Sequence, residues 1–280
     1  MRIRISLVLT LTTLWAYAQP NCNVYKLSNN QSCYEACVIA TREGAPQGSK
    51  ASQLQFDSAI SICPALDYAY FEKAVPYLKR GDFITWKKLI DQAVALNPTA
   101  HLGYRGWCRY QFVRDYRGAI RDFEKLDSLL RFDIGYSING DYHLNIAKAL
   151  CYKAIGQKAK AIEIIERQLA VENYSPLTYD YFHLGVLKME TGDLNGGIDY
   201  LNKSIALNDY FAEAHYYLGL IYKKQNLPKA HQESMRKAKS YYEKGYKRFD
   251  PYTHPMDKVY FAQIEKEINL ANSGGTSIKN

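Results

Sequence analysis

A pattern that returns every thirty-four residues constrains this chain more than any other feature. Cys63-Pro64 closes one segment and Asn97-Pro98 closes the next, a step of 98 − 64 = 34. Phe56 and Ala59 recur as Ile90 and Ala93 at the same offset, and Tyr181, Leu184 and Gly185 recur as His215, Leu218 and Gly219. A fixed period of this length belongs to a helix-turn-helix unit repeated in series. Each unit buries its apolar face by stacking on its neighbours, so a chain of 280 residues need not close around one core.

Six helical hairpins can be laid along residues 33–250. In the second, Tyr70, Ala74 and Tyr77 fall on one face at helical spacing, Gly81-Asp82 makes the turn, and Trp86, Ile90 and Ala93 continue in the return helix until Pro98 stops it. The third carries Gly106 and Trp107, then Ala119 and Phe123, and is one residue long in its first helix or turn. The fourth has Ala149 and Ala161, the fifth Gly185 and Gly197, the sixth Gly219 and Tyr222. Small residues at these positions let the two helices of a hairpin approach closely. Two segments depart from the period. Residues 131–142 are too long for a simple join, and Lys224 to Lys237 reads as a lengthening of the last hairpin by about seven residues. Beyond Pro251, residues 251–271 form a capping region, read as one helix from Met256 with Val259, Tyr260, Ile264 and Ile268 near one face, and 272–280 read as a disordered tail. The expected fold class is therefore all-α, an α-solenoid of about six hairpins closed by a C-terminal helix.

The first eighteen residues read as an address. Arg2 and Arg4 precede a short apolar run from Ile5 to Trp15, and Ala16-Tyr17-Ala18 places small residues at a cleavage site. The run falls short of the roughly 20 residues a spanning helix needs. Export, to the periplasm or beyond the cell, is the expectation. Removal of the two arginines lowers the formal charge from +8 to +6 (8 − 2), and the basic residues are scattered among acids, so nucleic acid is not an expected partner.

An oxidising compartment permits disulfides. Four of the six cysteines lie early, at Cys22, Cys33, Cys37 and Cys63, with Cys22 in an arm of residues 19–32. In a hairpin the start of the first helix lies beside the end of the second, which makes Cys33 and Cys63 candidates for a bond and leaves Cys22 and Cys37 for each other. Cys22 with Cys63 is the alternative, since four cysteines allow three pairings. Cys108 and Cys151 sit inside apolar helical stretches and read as small hydrophobes.

The local matches Tyr181-x2-Leu184-Gly185, Leu218-Gly219-x2-Tyr222 and Ala119-x3-Phe123, with the turn segments Gly81-Asp82-Phe83 and Gly192-Asp193-Leu194, resemble the tetratricopeptide repeat (TPR) family. Sel1-type repeats are slightly longer and differ in their glycines. The resemblance covers residues 33–250. It implies a protein whose first helices line a groove for a peptide or a partner helix. Carried over position by position, that groove comprises Tyr68, Phe71, Val75, Arg105, Arg109, His143, Lys153, Tyr179, Phe182, Tyr216 and Lys223, a mixture of rings and cations suited to apolar contact and carboxylates. The linker residues Tyr136, Asn139, Asp141 and Tyr142 either rim that groove or form a plain spacer.

Nothing in the sequence points to catalysis. Asp180 and His183 stand at i,i+3 and could pair, but no nucleophile with a recognisable elbow accompanies them. Asp122 and Glu124 project from different faces and fit a solvated helix surface. There is no phosphate loop, no dinucleotide fingerprint and no histidine spacing suited to a metal. The expectation is a non-catalytic exported scaffold that binds a protein or peptide in its groove for envelope assembly or secretion. No cofactor, metal or small-molecule substrate is expected, and any membrane association comes through a partner. The alternative is a structural subunit of a larger envelope complex with no peptide groove in use.

Overall fold

The recurring small residues lie where paired helices touch. A β-carbon on Gly185 would stand 2.7 Å from Cγ and 3.0 Å from the backbone nitrogen of Leu201, and one on Gly219 would stand 2.8 Å from Cε of Met235. These contacts leave no room for any side chain, which explains the fixed offset between a small residue on one helix and a large one on its mate. The structure is a computed structural model and describes residues 19–274, with side chains to 271. The export signal read in residues 1–18 and the end of the tail, 275–280, lie outside the described residues. Every described element is helical apart from one isolated bridge between Tyr136 and His143.

The described residues form two compact units, divided after Leu96. Unit 1 holds a short α1 (Asn23–Leu27) and two hairpins, α2 (Gln31–Ala40) with α3 (Lys50–Ile62) and α4 (Asp67–Lys79) with α5 (Phe83–Leu96). Its N-terminal core is built from Cys33, Ala36, Cys37, Ala40, Phe56, Ala59, Cys63, Leu66 and Ala69, a set in which only Phe56 and Leu66 are large. Cys22 is bonded to Cys37 and Cys33 to Cys63. Cys108 and Cys151 are free and buried, and burial pushes both thiols well above the ordinary range. Intact-mass alkylation should therefore find two reactive thiols in denaturant without reductant and six with it; six in both conditions would contradict the pairing.

Unit 2 holds four hairpins and a last helix. They are α6 (Pro98–Cys108) with α7 (Tyr116–Leu129), α8 (Leu144–Ala154) with α9 (Lys158–Leu169), α10 (Thr178–Glu190) with α11 (Leu194–Leu207), and α12 (Ala212–Lys224) with α13 (Pro228–Glu243). Helix α14 (Phe261–Gly274) packs on α13, and its Ile264, with Val259 just ahead of the helix, joins Tyr216, Met235 and Ala238 in one apolar cluster. Side-chain caps start several helices, Asp115 on Gly118, Asp193 on Gly196 and Asn97 on Ala100, because an early oxygen satisfies one of the orphan amides of a first turn.

Three expectations about the period can now be settled. The extra residue of the third hairpin is absorbed by a π turn, Arg109–Val113, which ends on Arg114 in the left-handed region (φ 58°). The lengthening of the last hairpin is corrected. Gly197 and Leu201 return as His231 and Met235 (197 + 34 = 231, 201 + 34 = 235), both against Gly219 on α12, so the period holds and Lys224 to Lys237 includes the opening turns of α13. Pro228 at the helix start and a histidine in the small-residue position hid the repeat. The single helix from Met256 is also corrected. Residues 251–260 are irregular, and Asp257 itself has φ 61°, which no α-helix tolerates. Among the described residues no helix is long and apolar enough to cross a membrane.

Candidate functional site

The thirty-four-residue period turns the first helices of successive hairpins toward one side. On unit 2 that side carries Lys153 from α8, Tyr179 and His183 from α10 and Glu213 from α12, with Tyr142 just ahead of α8. The segment between α13 and α14, residues 244–260, has no helix of its own and meets all of these residues. It leaves α13 at Gly245, whose φ of 86° suits glycine.

Two charged residues fasten it. Arg248 is 7% exposed. Its backbone nitrogen donates to Glu213 Oε1 at 2.9 Å, and its guanidinium donates to the Met256 carbonyl at 2.8 Å and to the Tyr142 hydroxyl. The guanidinium carbon lies 4.4 Å from the centre of the Tyr179 ring and 3.3 Å separates one terminal nitrogen from His183 Nε2. Asp257, nine residues on (257 − 248 = 9), has a side chain 6% exposed; it takes a hydrogen bond from Lys153 Nζ at 2.6 Å and faces His183 Nδ1 at 2.7 Å. Lys153 also meets Glu190 at 3.0 Å, and Glu190 meets Lys158 at 3.0 Å.

Electrostatics assign the protons. Burial holds His183 down at about 4, outweighing the pull of Asp257 toward the charged form. Burial alone would raise Asp257, but the His183 hydrogen bond and the Lys153 charge overcome it and hold the carboxyl at about 2. At neutral pH the pair is thus a neutral imidazole donating from Nδ1 to a carboxylate. Its Nε2 accepts from the Tyr142 hydroxyl at 3.0 Å, and that hydroxyl accepts from Arg248. One chain of hydrogen bonds runs from Arg248 through Tyr142 and His183 to Asp257, fully enclosed. Burial also pushes the Tyr142 phenol above its usual range. A second fastening lies farther along the segment. Gln111 Nε2 donates to Asp250 Oδ2 at 2.8 Å and to Thr253 Oγ1 at 2.9 Å, and Arg114 donates to the His254 carbonyl at 3.2 Å.

The pH dependence has a definite sign. A histidine at about 4 in the fold and 6.5 when unfolded lets the unfolded chain take its proton first, so stability is complete above about 6.5 and falls as pH drops from there to about 4. Asp257 extends the loss from 3.8 down to about 2. His143 and His215 are lowered by burial and act in the same sense. The slope of Tm against pH between 6.5 and 4 should flatten in His183→Gln; an unchanged slope would remove His183 from this account.

Of the residues carried over from the family pattern, Lys153 and Tyr179 and the linker residue Tyr142 converge on this segment. Others are engaged within the fold. Arg105 and Arg109 form ion pairs with Asp122 in the adjoining helix at 2.6 and 2.8 Å, so they knit α6 to α7, and Asp122 is buried between them and not solvated. Glu124 is exposed and accepts from Tyr152. Phe182 is enclosed in the core between α10 and α12 against Phe211, and Tyr216 lies in the cluster under α14. His143 is buried as the N-cap of α8, beside Asp133 at 2.5 Å and the rings of Tyr136 and Tyr174. Burial removes Phe182, Tyr216 and His143 from any contact surface. Lys223 reaches Glu267 on α14 at 2.6 Å. In unit 1, Tyr68, Phe71 and Val75 are half-buried along α4, and burial raises the Tyr68 phenol to about 12. In the linker, Tyr136, Asn139 and Asp141 are exposed while Tyr142 is buried. Asp180 does not pair with His183; it accepts from Tyr174 and from the Leu177 amide at the start of α10.

The residues that sequence reasoning missed are Arg248, Asp257 and the partnership of His183. They lie in an aperiodic stretch, and the histidine and aspartate are seventy-four residues apart, so no local spacing links them. Among the described residues no cluster of His, Cys, Asp and Glu is arranged to hold a metal.

No protein-family model matches the chain, and no curated protein matches it. Solved structures do. The chain is similar to Pseudomonas aeruginosa pilF (TM-score 0.57, 12% identity, covering 87% of this chain and 99% of that one). It is similar to PilW, a widely conserved type IV pilus biogenesis factor (0.56, 15%, 79% and 90%). A third likeness is to YrrB, a TPR protein with an unusual peptide-binding site (0.52, 18%, 66% and 91%). At such identities the likeness is one of fold.

Proposed function

We propose that this chain, whose fold is that of the tetratricopeptide-repeat proteins, is a non-catalytic scaffold that holds an extended stretch of another protein against the first helices of its hairpins. One observation carries the reading. In unit 2 that helix face already binds irregular, non-helical polypeptide, the chain's own residues 246–258, through side chains supplied by three successive hairpins. Among the described residues the series Tyr142, His183 and Asp257 resembles a triad, but its side chains are buried and its hydroxyl is driven away from ionisation, which favours a structural role over a catalytic one.

Export is part of the proposal. The signal-like first eighteen residues and two disulfides in an alanine-rich core fit an oxidising compartment. The likeness to a pilus biogenesis factor is consistent with work in the envelope, in assembly or secretion. A specific observation also favours a second reading, a subunit that docks through other surfaces: Phe249 and Tyr252 stand on the segment 77% and 79% exposed. Photo-crosslinking separates the two. A probe at Tyr179, on the first-helix face of unit 2, should trap the partner while a probe at Tyr252 stays silent, and the reverse pattern would replace the first reading by the second.

A further inference from the structure

We propose that the helix face of unit 2 is an arginine-reading peptide site and that residues 246–258 are its resident, displaceable occupant. The partner is then a peptide that offers one arginine and, about nine residues farther on, an acid, and that turns back between them so that both reach His183. This rests on the scaffold reading and specifies its partner.

The division of labour supports it. Nearly every group that recognises the segment belongs to the hairpins or to the linker. Tyr142, Tyr179, His183 and Glu213 surround Arg248, and Lys153 and His183 hold Asp257. The segment is gripped at these polar points, while two of its three large rings, Phe249 and Tyr252, stand mostly exposed and the third, Tyr246, is half-exposed beside Tyr210. A chain section that folds as part of a core does the opposite, burying its rings and exposing its charges. A bound peptide is held in the manner seen here, by two charged anchors in specific pockets.

The pocket also states what can replace the occupant. Emptying it would leave the Tyr142 hydroxyl without its guanidinium donor, and Lys153 and the His183 Nδ1–H without the Asp257 carboxylate, losses that a peptide lacking both charges does not make good. A guanidinium fits because its planar fork reaches a hydroxyl, a carbonyl and an imidazole nitrogen while its face lies on Tyr179. A lysine ammonium is a point charge and cannot do so. Gly245 at one end supplies a joint through which the segment can swing out without a side chain in the way.

The test uses the full chain and a fluorescent peptide with the sequence of residues 246–258. Anisotropy should show the peptide binding Arg248→Ala/Asp257→Ala at least ten-fold more tightly than it binds the wild-type chain, whose site is filled. The same peptide carrying Arg248→Ala or Arg248→Lys should lose at least ten-fold. Binding to neither chain, equal binding to both, or indifference to the peptide's arginine would overturn the proposal. Should circular dichroism show the double variant unfolded, the single variant Arg248→Lys, which keeps the charge, is read by the same criteria. A partner trapped from Tyr179 with no peptide binding would leave the scaffold and remove the occupant. Peptide binding with no partner trapped would do the converse.

Discussion

Asp257→Ala should lower the stability of unit 2 by about 3–5 kcal/mol, the usual cost of removing one member of a buried ion pair. The carboxylate is the acceptor for both Lys153 and His183, and the lysine side chain is 7% exposed. Its loss leaves Lys153 leaning on Glu190 alone and His183 with an undirected N–H. For a unit of this size each kcal/mol moves Tm by about 2–4 °C, so a fall of about 6–20 °C is expected by calorimetry. Asp257→Asn keeps an acceptor for His183 and should fall between. The paired replacement Lys153→Met with Asp257→Leu should recover much of the loss, because two matched apolar groups avoid the desolvation that the ions suffer. A loss below 1 kcal/mol in Asp257→Ala would show that the segment is not fastened there.

The second large effect belongs to unit 1. Cutting the Cys33–Cys63 bond, which closes a loop of sequence separation 30, should cost about 3–4 kcal/mol through the freedom returned to the unfolded chain. The effect weighs heavily because only two large apolar residues, Phe56 and Leu66, are buried in the surrounding cluster of alanines and cysteines, with Tyr25, Ile39, Ile60 and Tyr68 partly buried at its edge. Cys33→Ala/Cys63→Ala should therefore speed amide exchange throughout α2 and α3. Reductant alone should do the same and leave unit 2, whose two cysteines are unbonded, unchanged. Equal acceleration in both units, or none in either, would contradict this origin of the stability of unit 1.

The fold was legible because close helix contacts force small residues into fixed register. Gly185, Gly219 and Ala119 could be placed by their offsets, and even the single added residue of the third hairpin showed as a break in spacing. The period failed only where an atypical residue, His231, took the small position. The site was legible in part. Lys153 and Tyr179 stand at family positions and Tyr142 in the linker, and the three do converge. Arg105 and Arg109 stand at such positions too, yet their partner Asp122 lies across the same hairpin, and position in a repeat cannot reveal which neighbour a cation chooses. Arg248 and Asp257 lie where no periodicity exists. Only the folded chain brings them to residues more than sixty positions away.

The π turn at Arg109–Val113 has a consequence beyond accommodating one residue. In an uninterrupted α-helix an added residue would turn whatever follows by about 100°, and the π turn takes it up locally instead. Gln111 lies within that widened turn and Arg114 ends it, and these two side chains meet residues 250–254. A shortened third hairpin would satisfy the period better and present other side chains in their place. The irregular unit acts as the mooring post: its surplus residue gives the far end of the returning segment something to tie to.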